Sequence, residues 1–110
     1  MGKFIITKRK NGEYQFNLKA INGQIILTSE GYVAKASCQK GIESVKTNSI
    51  LDSRYDRKIS KNSQYYFNLK AGNGEIIGTS EMYTSIYNRE AGITAVKNNA
   101  PDAAIIDETL

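Results

Sequence analysis

The residues of this 110-residue chain that could bind a ligand form two similar polar sets, 51 positions apart. Lysine neutralises phosphates and tyrosine stacks on bases, so such residues on one sheet face would predict weak nucleic-acid binding. An ordinary solvated sheet face is the alternative, because Lys and Asn keep such faces soluble. The candidate binding residues are Asn17, Lys19 and Thr28 in the first set and Tyr66, Asn68, Lys70 and Thr79 in the second.

Most catalytic chemistry is excluded by composition, since the chain has no histidine and one cysteine, Cys38. His/Cys zinc sites, Cys-His nucleophiles and Ser-His-Asp triads therefore lack their parts, and no P-loop spacing occurs. Glu30 and Glu81 recur in the two Thr-Ser-Glu segments and leave a carboxylate enzyme open. We instead expect these segments to satisfy free N–H groups at helix starts. The prediction is a non-enzyme with no catalytic residues, metal or cofactor.

The cellular location is predicted from the cysteine content and from the lengths of the apolar segments. A single cysteine excludes an intrachain disulfide, and Cys38 lies on an apolar stripe, where a buried thiol is expected. The N-terminal apolar run is too short for a signal peptide, and no segment reaches membrane-spanning length, so we expect a cytoplasmic protein without a membrane partner. Residues 1–51 carry a net charge of +5 and residues 52–110 a net charge of −1.

A tandem duplication dominates the sequence. The segment from Tyr14 to Tyr32 returns as Tyr65 to Tyr83, with 14 of 19 residues identical. About 55 residues is near the lower limit for an independent core, so the copies should share one. We predict a single domain, 1–110, with repeat one at 1–51 and repeat two at 52–110.

Alternating apolar residues predict strands with one buried face. Such alternation runs from Tyr14 to Ala20 and again in the second copy, and an Asn-Gly pair follows each time. Read as a two-residue type I′ turn, Asn22-Gly23 sets Leu18 opposite Leu27 and Lys19 opposite Ile26. That register places Ile26 and its counterpart Ile77 on the polar face, which leaves a dimer or protein-partner surface open.

A helical stripe follows each hairpin. Cys38, Ile42 and Val45 lie at helical spacing and predict a helix ending near Asn48, with Ile93 and Val96 in the second copy. Glycines interrupt both helices at the same place, which indicates close packing there. Strands are predicted at 3–8, 13–21, 24–29, 54–60, 64–72, 75–80 and 104–107. The predicted class is α+β with a mainly antiparallel sheet.

The text FNLKA, NG, II, TSE and Tyr occurs in both copies, and GI followed by VK occurs in both helices. On these motifs the chain resembles the YegP-like family as a tandem-repeat member. The resemblance implies two repeats of three strands, a helix and a strand, which form one sheet with both helices on one face. It also implies exchange of one closing strand into the other half, a bacterial origin and no established biochemical activity. It carries no catalytic or binding residues.

The predicted function is therefore a small non-enzymatic structural or interaction module. Its partner is unknown, with a protein partner or self-association both open. The alternative is a weak nucleic-acid-binding protein that uses the polar sheet face.

Overall fold

The computed structural model describes residues 2–110, which form an α+β fold of seven strands and two α-helices. Repeat one supplies β1 (Lys3–Lys8), β2 (Tyr14–Lys19), β3 (Ile25–Thr28) and α1 (Lys35–Asn48). A 3₁₀ turn at Asp52–Arg54 leads into β4 (Tyr55–Ile59), β5 (Tyr65–Lys70), β6 (Ile76–Thr79), α2 (Ile86–Asn99) and β7 (Ala104–Asp107). All seven strands and both helices lie where the sequence predicts them.

The strands form one mixed sheet in the order β4-β5-β6-β3-β2-β1-β7. The two repeats join at the centre, where β3 pairs antiparallel with β6 through Thr28 and Thr79. Among the strands of residues 2–110, β7 alone is parallel to its neighbour, and that neighbour is β1 of the other repeat. A closing strand in each repeat is wrong for repeat one, because the chain passes from its helix through the 3₁₀ turn directly into β4.

The Asn-Gly turns differ from the predicted two-residue form. In the hairpin between β2 and β3, the Ala20 amide donates to the Gln24 carbonyl at 2.9 Å, so the loop has three residues. Gly23 adopts φ +85°, whereas Asn22 keeps a negative φ. The Asn22 side chain explains this choice, since its Oδ1 accepts the Gln24 amide at 3.0 Å and closes a local turn.

A β-bulge follows from that extra loop residue and corrects the assignment of Ile26. Leu18 pairs with Leu27 as predicted, but Lys19 pairs with Ile25, which leaves Ile26 as the inserted residue. Ile26 is buried in the hydrophobic core, and so is Ile77 at the matching bulge. The prediction that these two isoleucines lie on the polar face is therefore wrong, and they give no support to a dimer surface there.

Both helices contribute to one core with the apolar side of the sheet. Phe16 and Phe67 are fully buried, whereas Lys19 and Lys70 are partly exposed on the opposite side, as the alternation predicts. The core is a single cluster that contains residues of both helices. Its largest fully buried members are Phe4, Ile6, Phe16, Leu18, Leu27, Ile42, Phe67, Leu69 and Ile93.

The helix glycines mark the predicted close packing. A Cβ on Gly41 would overlap the Tyr32 hydroxyl, and one on Gly92 would overlap the Tyr83 hydroxyl. Each tyrosine is fixed by a backbone bridge to the start of the second strand of its own repeat. Glycine therefore allows each tyrosine ring to lie directly against its helix. Within residues 2–110, neither helix is long or apolar enough to cross a bilayer.

Candidate functional site

The sheet face opposite the helices, here called the open face, carries a row of side chains that crosses all seven strands. Pairing places one member of the row on each strand, and the row is centred on the Thr28–Thr79 pair. Six of the seven members form three pairs of equivalent repeat positions, arranged in the same order outward from that centre. The two inner pairs have identical residues, and the outer pair does not. The row consists of Asp56, Asn68, Thr79, Thr28, Asn17, Ile5 and Ile106.

Four of the candidate residues meet at the centre of this row. Asn68 is only 6% exposed, and its Oδ1 accepts a hydrogen bond from the Thr79 hydroxyl at 2.8 Å. Its counterpart Asn17 accepts from Gln15 Nε2 at 3.4 Å. The open face thus has a preorganised polar centre in repeat two and a more loosely bonded one in repeat one.

At the repeat-two end of the row, the lysine is neutralised within the chain. Lys70 Nζ lies 3.2 Å from Asp56 Oδ2, and Lys58 Nζ lies 3.6 Å from the same oxygen. The hydrogen bond from Lys70, with Lys58 nearby, lowers the pKa of the Asp56 carboxyl. Asp56 therefore stays ionised at neutral pH and masks much of the positive charge at this end.

At the repeat-one end, the lysine equivalent to Lys70 is Lys19, and its surroundings differ. Ile5 occupies the position of Asp56, and Thr7 that of Lys58. Within residues 2–110, Lys19 makes no ion pair, and its direct cross-strand partner on β1 is another lysine, Lys3. The two ends of the open face consequently differ in charge although the repeats share most of their sequence.

Tyr66, the seventh candidate residue, also lies on the open face, where it is half-buried and pairs across the strands with Lys58. Gln15 takes its place in repeat one. The structure therefore brings all seven candidates onto one surface, with a single aromatic ring among them.

The Thr-Ser-Glu segments do not cap the helices, which corrects the sequence prediction. Ser29 Oγ accepts the Phe16 amide at 2.9 Å and donates to the Glu30 carbonyl at 2.7 Å. Ser80 makes the same two bonds in repeat two. Helix α2 is instead capped by Ser85, whose side chain accepts the Asn88 amide. The hydroxyl next to each threonine thus completes the sheet and does not start a helix.

Sequence reasoning missed three residues of this row, Ile106 and the equivalent pair Ile5 and Asp56. The shared position of that pair in the repeat was visible, and the exchange of an apolar for an acidic residue beside an otherwise identical Asn and Lys was the available signal. The strand pairing supplies the missing fact, because it places this position directly opposite the asparagine of the row in each repeat.

Other groups with chemical potential serve the fold. Cys38 is fully buried as predicted, and desolvation raises the pKa of its thiol to about 11. Asp107 accepts a hydrogen bond from Lys35 at 2.8 Å, which, together with bonds from Thr109, lowers its pKa to about 2. In residues 2–110, no three His, Cys, Asp or Glu side chains group as metal ligands.

Comparison with known proteins supports the duplicated architecture. A family model described as "Domain of unknown function (DUF1508)" matches twice, at residues 10–56 and 60–107. The chain belongs to the DUF1508 family. The earlier resemblance to YegP-like proteins is confirmed by relatives of this family. A UPF0339 protein of Acinetobacter baylyi is 53% identical over 98% of this chain and 97% of its own length.

Two further comparisons give a second relative of similar sequence identity and a relative of known structure. A protein described as "UPF0339 protein in ptx operon 5'region", from Stutzerimonas stutzeri, is 52% identical over 96% of both chains. The solution NMR structure of yegP from E. coli, a protein of unknown function, matches with a TM-score of 0.93 at 46% identity, covering 97% of this chain and 92% of that one. A solved relative thus shares this fold, and the relatives named here are described as UPF0339 proteins or as of unknown function.

Proposed function

We propose that the protein is a non-enzymatic interaction module that binds an acidic partner protein through the open face of its sheet. The single observation that carries the proposal is the row that crosses all seven strands on the side away from both helices. An antiparallel sheet commonly has one face packed on the core and the other in contact with solvent, so this face is available to a partner. The Asn68–Thr79 bond supplies that rigidity at the centre.

An acidic partner is favoured by the distribution of charge. Lys70 is largely neutralised by Asp56, whereas Lys3 and Lys19 stand opposite each other at the repeat-one end. Repeat one as a whole carries the positive charge of the chain. Complementary charge steers encounter and fixes the orientation of a partner, so the acidic patch of that partner should lie over repeat one.

The absence of an enzymatic role is proposed from how the reactive groups are used. Cys38 is enclosed by the core, and its thiol is protonated at neutral pH. Asp52, Glu90 and Asp107 form ion pairs with basic side chains that tie separate elements together. Groups committed in this way stabilise the fold and are poorly suited to exchange protons with a substrate.

A photo-crosslinking experiment in living cells tests the proposed surface. A benzophenone side chain replaces Tyr66 on the open face in one protein and Tyr87 in another. Tyr87 is 81% exposed on α2 and is the matched control. We expect a crosslinked protein adduct at position 66 that is at least fivefold weaker at position 87. Equal adducts at both positions, or none at position 66, would refute the proposal.

Charge reversal sharpens the same experiment. Lys19→Glu combined with Lys70→Glu should abolish the adduct at position 66, because an acidic partner would then be repelled. Lys40→Glu, on the exposed side of α1, should leave it unchanged. A loss of the adduct in both variants would mean that net charge alone, and not the open face, directs binding.

The nucleic-acid alternative receives less support from the geometry. A stacking surface uses two or three aromatic rings, and Tyr66 is the only ring at an open-face position within residues 2–110. Adding a 12-nucleotide single strand at low salt to ¹⁵N-labelled protein checks this directly. We expect no movement of the Asn17 and Asn68 side-chain signals, and a salt-sensitive movement would favour the alternative.

A further inference from the structure

A pocket of about 480 Å³ lies at the repeat-one end of the open face. It is bounded by β1, β2, the loop that follows β2, and β7. Its volume falls in the usual range for pockets that hold a small organic group, about 300–1,000 Å³. The side chains used in the argument below are Lys3, Lys19, Ile5, Ile21, Ile106 and Glu108.

The charged side of the pocket contains the ammonium groups of two lysines. Lys3 and Lys19 are directly opposite each other on β1 and β2. Like charges at opposed positions of an antiparallel pair destabilise it, and within residues 2–110 neither lysine makes an ion pair. Glu108 lines the same pocket but lies beyond ion-pair distance of both. A negative group placed between the lysines would relieve their repulsion.

The remaining wall of the pocket is apolar. Ile5 and Ile106 are cross-strand neighbours on β1 and β7, and Ile106 is 37% exposed. Ile21, at the start of the hairpin loop, is 80% exposed. Ile5 is only 7% exposed and forms the covered floor of this wall, so a ligand would remove apolar surface from water mainly at Ile21 and Ile106 while it satisfied the lysines.

We infer that this pocket binds a carboxylate joined to a short apolar group. Two lysines and one glutamate give the pocket a formal charge of +1, which suits a singly charged carboxylate better than a phosphate monoester of charge about −1.5 to −2. The inference rests on the proposed function, since it names the group that the open face would anchor. A C-terminal apolar residue of the partner and a free carboxylic acid both supply this chemistry.

Repeat two shows why only repeat one needs an external acid. There the position of Ile5 holds Asp56, whose carboxylate lies against Lys70. The chain itself supplies at that end the ion-pair partner that Lys19 lacks within residues 2–110. Ile5→Asp should therefore fill the repeat-one site internally, without removing either lysine, and abolish binding.

NMR titration of the ¹⁵N-labelled full chain tests the inference. The salt concentration is kept at about 50 mM, because higher salt would screen the attraction between exposed charges. The probes are hexanoate, the peptide acetyl-Gly-Gly-Leu with a free carboxylate, the same peptide as an amide, and acetate. We expect hexanoate or the free peptide to shift amides of residues 3–5, 19–23 and 104–108, and the tighter of the two identifies the source. The amide and acetate should bind at least tenfold more weakly. Equal binding of the amide, or of acetate, would overturn the inference.

Variants locate the site and separate the two proposals. Lys19→Gln should weaken binding of the tighter probe at least fivefold, and Ile5→Asp should remove it, whereas Lys58→Gln at the other end should change nothing. If Ile5→Asp does not fold, as its NMR spectrum would show, Lys19→Gln decides alone. Absence of binding by both acids, with the crosslink at position 66 intact, would refute this inference and leave the interaction module standing.

Discussion

The two repeats share a core and differ at their surfaces, and the difference shows which constraints duplication preserved. Phe16 and Phe67 are both fully buried, and both helices contain the glycine that faces a tyrosine. On the open face, by contrast, Ile5 and Asp56 occupy one equivalent position and give it opposite chemistry. Packing within the core tolerates few alternatives, whereas this position lies outside the core cluster and accepts either an apolar or an acidic residue, so its chemistry can change while the core is kept.

The two repeats also differ in how the outer side of their first strand is protected. In repeat one, β1 is covered by β7, which Lys35 holds through its ion pair with Asp107. In repeat two, β4 is an outer strand and protects itself with charge. Its Arg57 contacts Glu90 at 2.9 Å, and Lys58 lies beside it. Charged side chains on an edge strand discourage pairing with other chains.

The shared core provides the largest predicted effect. Phe16→Ala and Phe67→Ala should each lower the free energy of unfolding by about 3–5 kcal/mol, because each leaves a cavity among fully buried neighbours. Urea unfolding followed by circular dichroism measures both. Val33→Ala, at a position 84% exposed, is the control and should change little. A loss below about 1 kcal/mol in only one Phe variant would contradict a core shared equally by the repeats.

The glycine–tyrosine contacts should give the next largest effect. Gly41→Ala gains about 1 kcal/mol of helix propensity but forces the Tyr32 ring away, at a cost of about 1–3 kcal/mol. We expect a net loss of stability, and the same for Gly92→Ala against Tyr83. Tyr32→Phe should restore part of the loss in the first variant and none in the second, as measured by a double-mutant cycle. A stabilising Gly41→Ala would show that the ring moves freely.

One turn breaks the pattern of the others and predicts a gain in stability. Four hairpin loops have the same pattern of backbone hydrogen bonds. Three of them end in a glycine, Gly12, Gly23 or Gly74, and the fourth ends in Ser63, with φ 63°. A left-handed non-glycine residue is strained by about 1–2 kcal/mol. Ser63→Gly should therefore raise the urea midpoint, whereas Gly23→Ser should lower it by a similar amount. No rise for Ser63→Gly would mean that the serine is already accommodated.

Much of the fold could be predicted because each local sequence pattern occurs twice in the chain. Alternation from Tyr14 onward and the stripe through Cys38 fix strand and helix faces independently of tertiary context. The bulge at Ile26 could not be predicted, since it depends on whether the loop before it has two or three residues. That choice is made by the Asn22 side chain, which binds the backbone in a way that sequence spacing does not reveal.

The candidate site was predictable in its members but not in its asymmetry. The seven polar residues share a face because strand positions alternate, which the sequence shows directly. The free charge of Lys19 depends on which residue of β1 lies beside it, and that requires the pairing of β1 with β2. The pairing of β7 with β1 was similarly inaccessible from periodicity, because it joins residues about 100 positions apart.

The ion pair that holds β7 gives the smallest predicted effect and a test of edge asymmetry. Lys35, with Thr109, lowers the pKa of Asp107 to about 2, below its ordinary value of 3.8. A carboxyl with a depressed pKa stabilises the fold above its unfolded pKa, and this contribution is lost as the pH falls from about 4 to about 2. Repeat two has Ile86 at the position of Lys35 and so lacks the pair.

Calorimetry between pH 5 and pH 2.5 should therefore show a smaller fall in Tm for Lys35→Met than for the wild-type chain. Asp52, Asp56 and Glu90 also have lowered pKa values, so the fall itself is not diagnostic and only the difference between the two proteins is. Lys40→Met removes a charge from the same helix without touching Asp107 and should follow the wild type. Identical falls for Lys35→Met and wild type would mean that β7 is held by its backbone pairing with β1 alone.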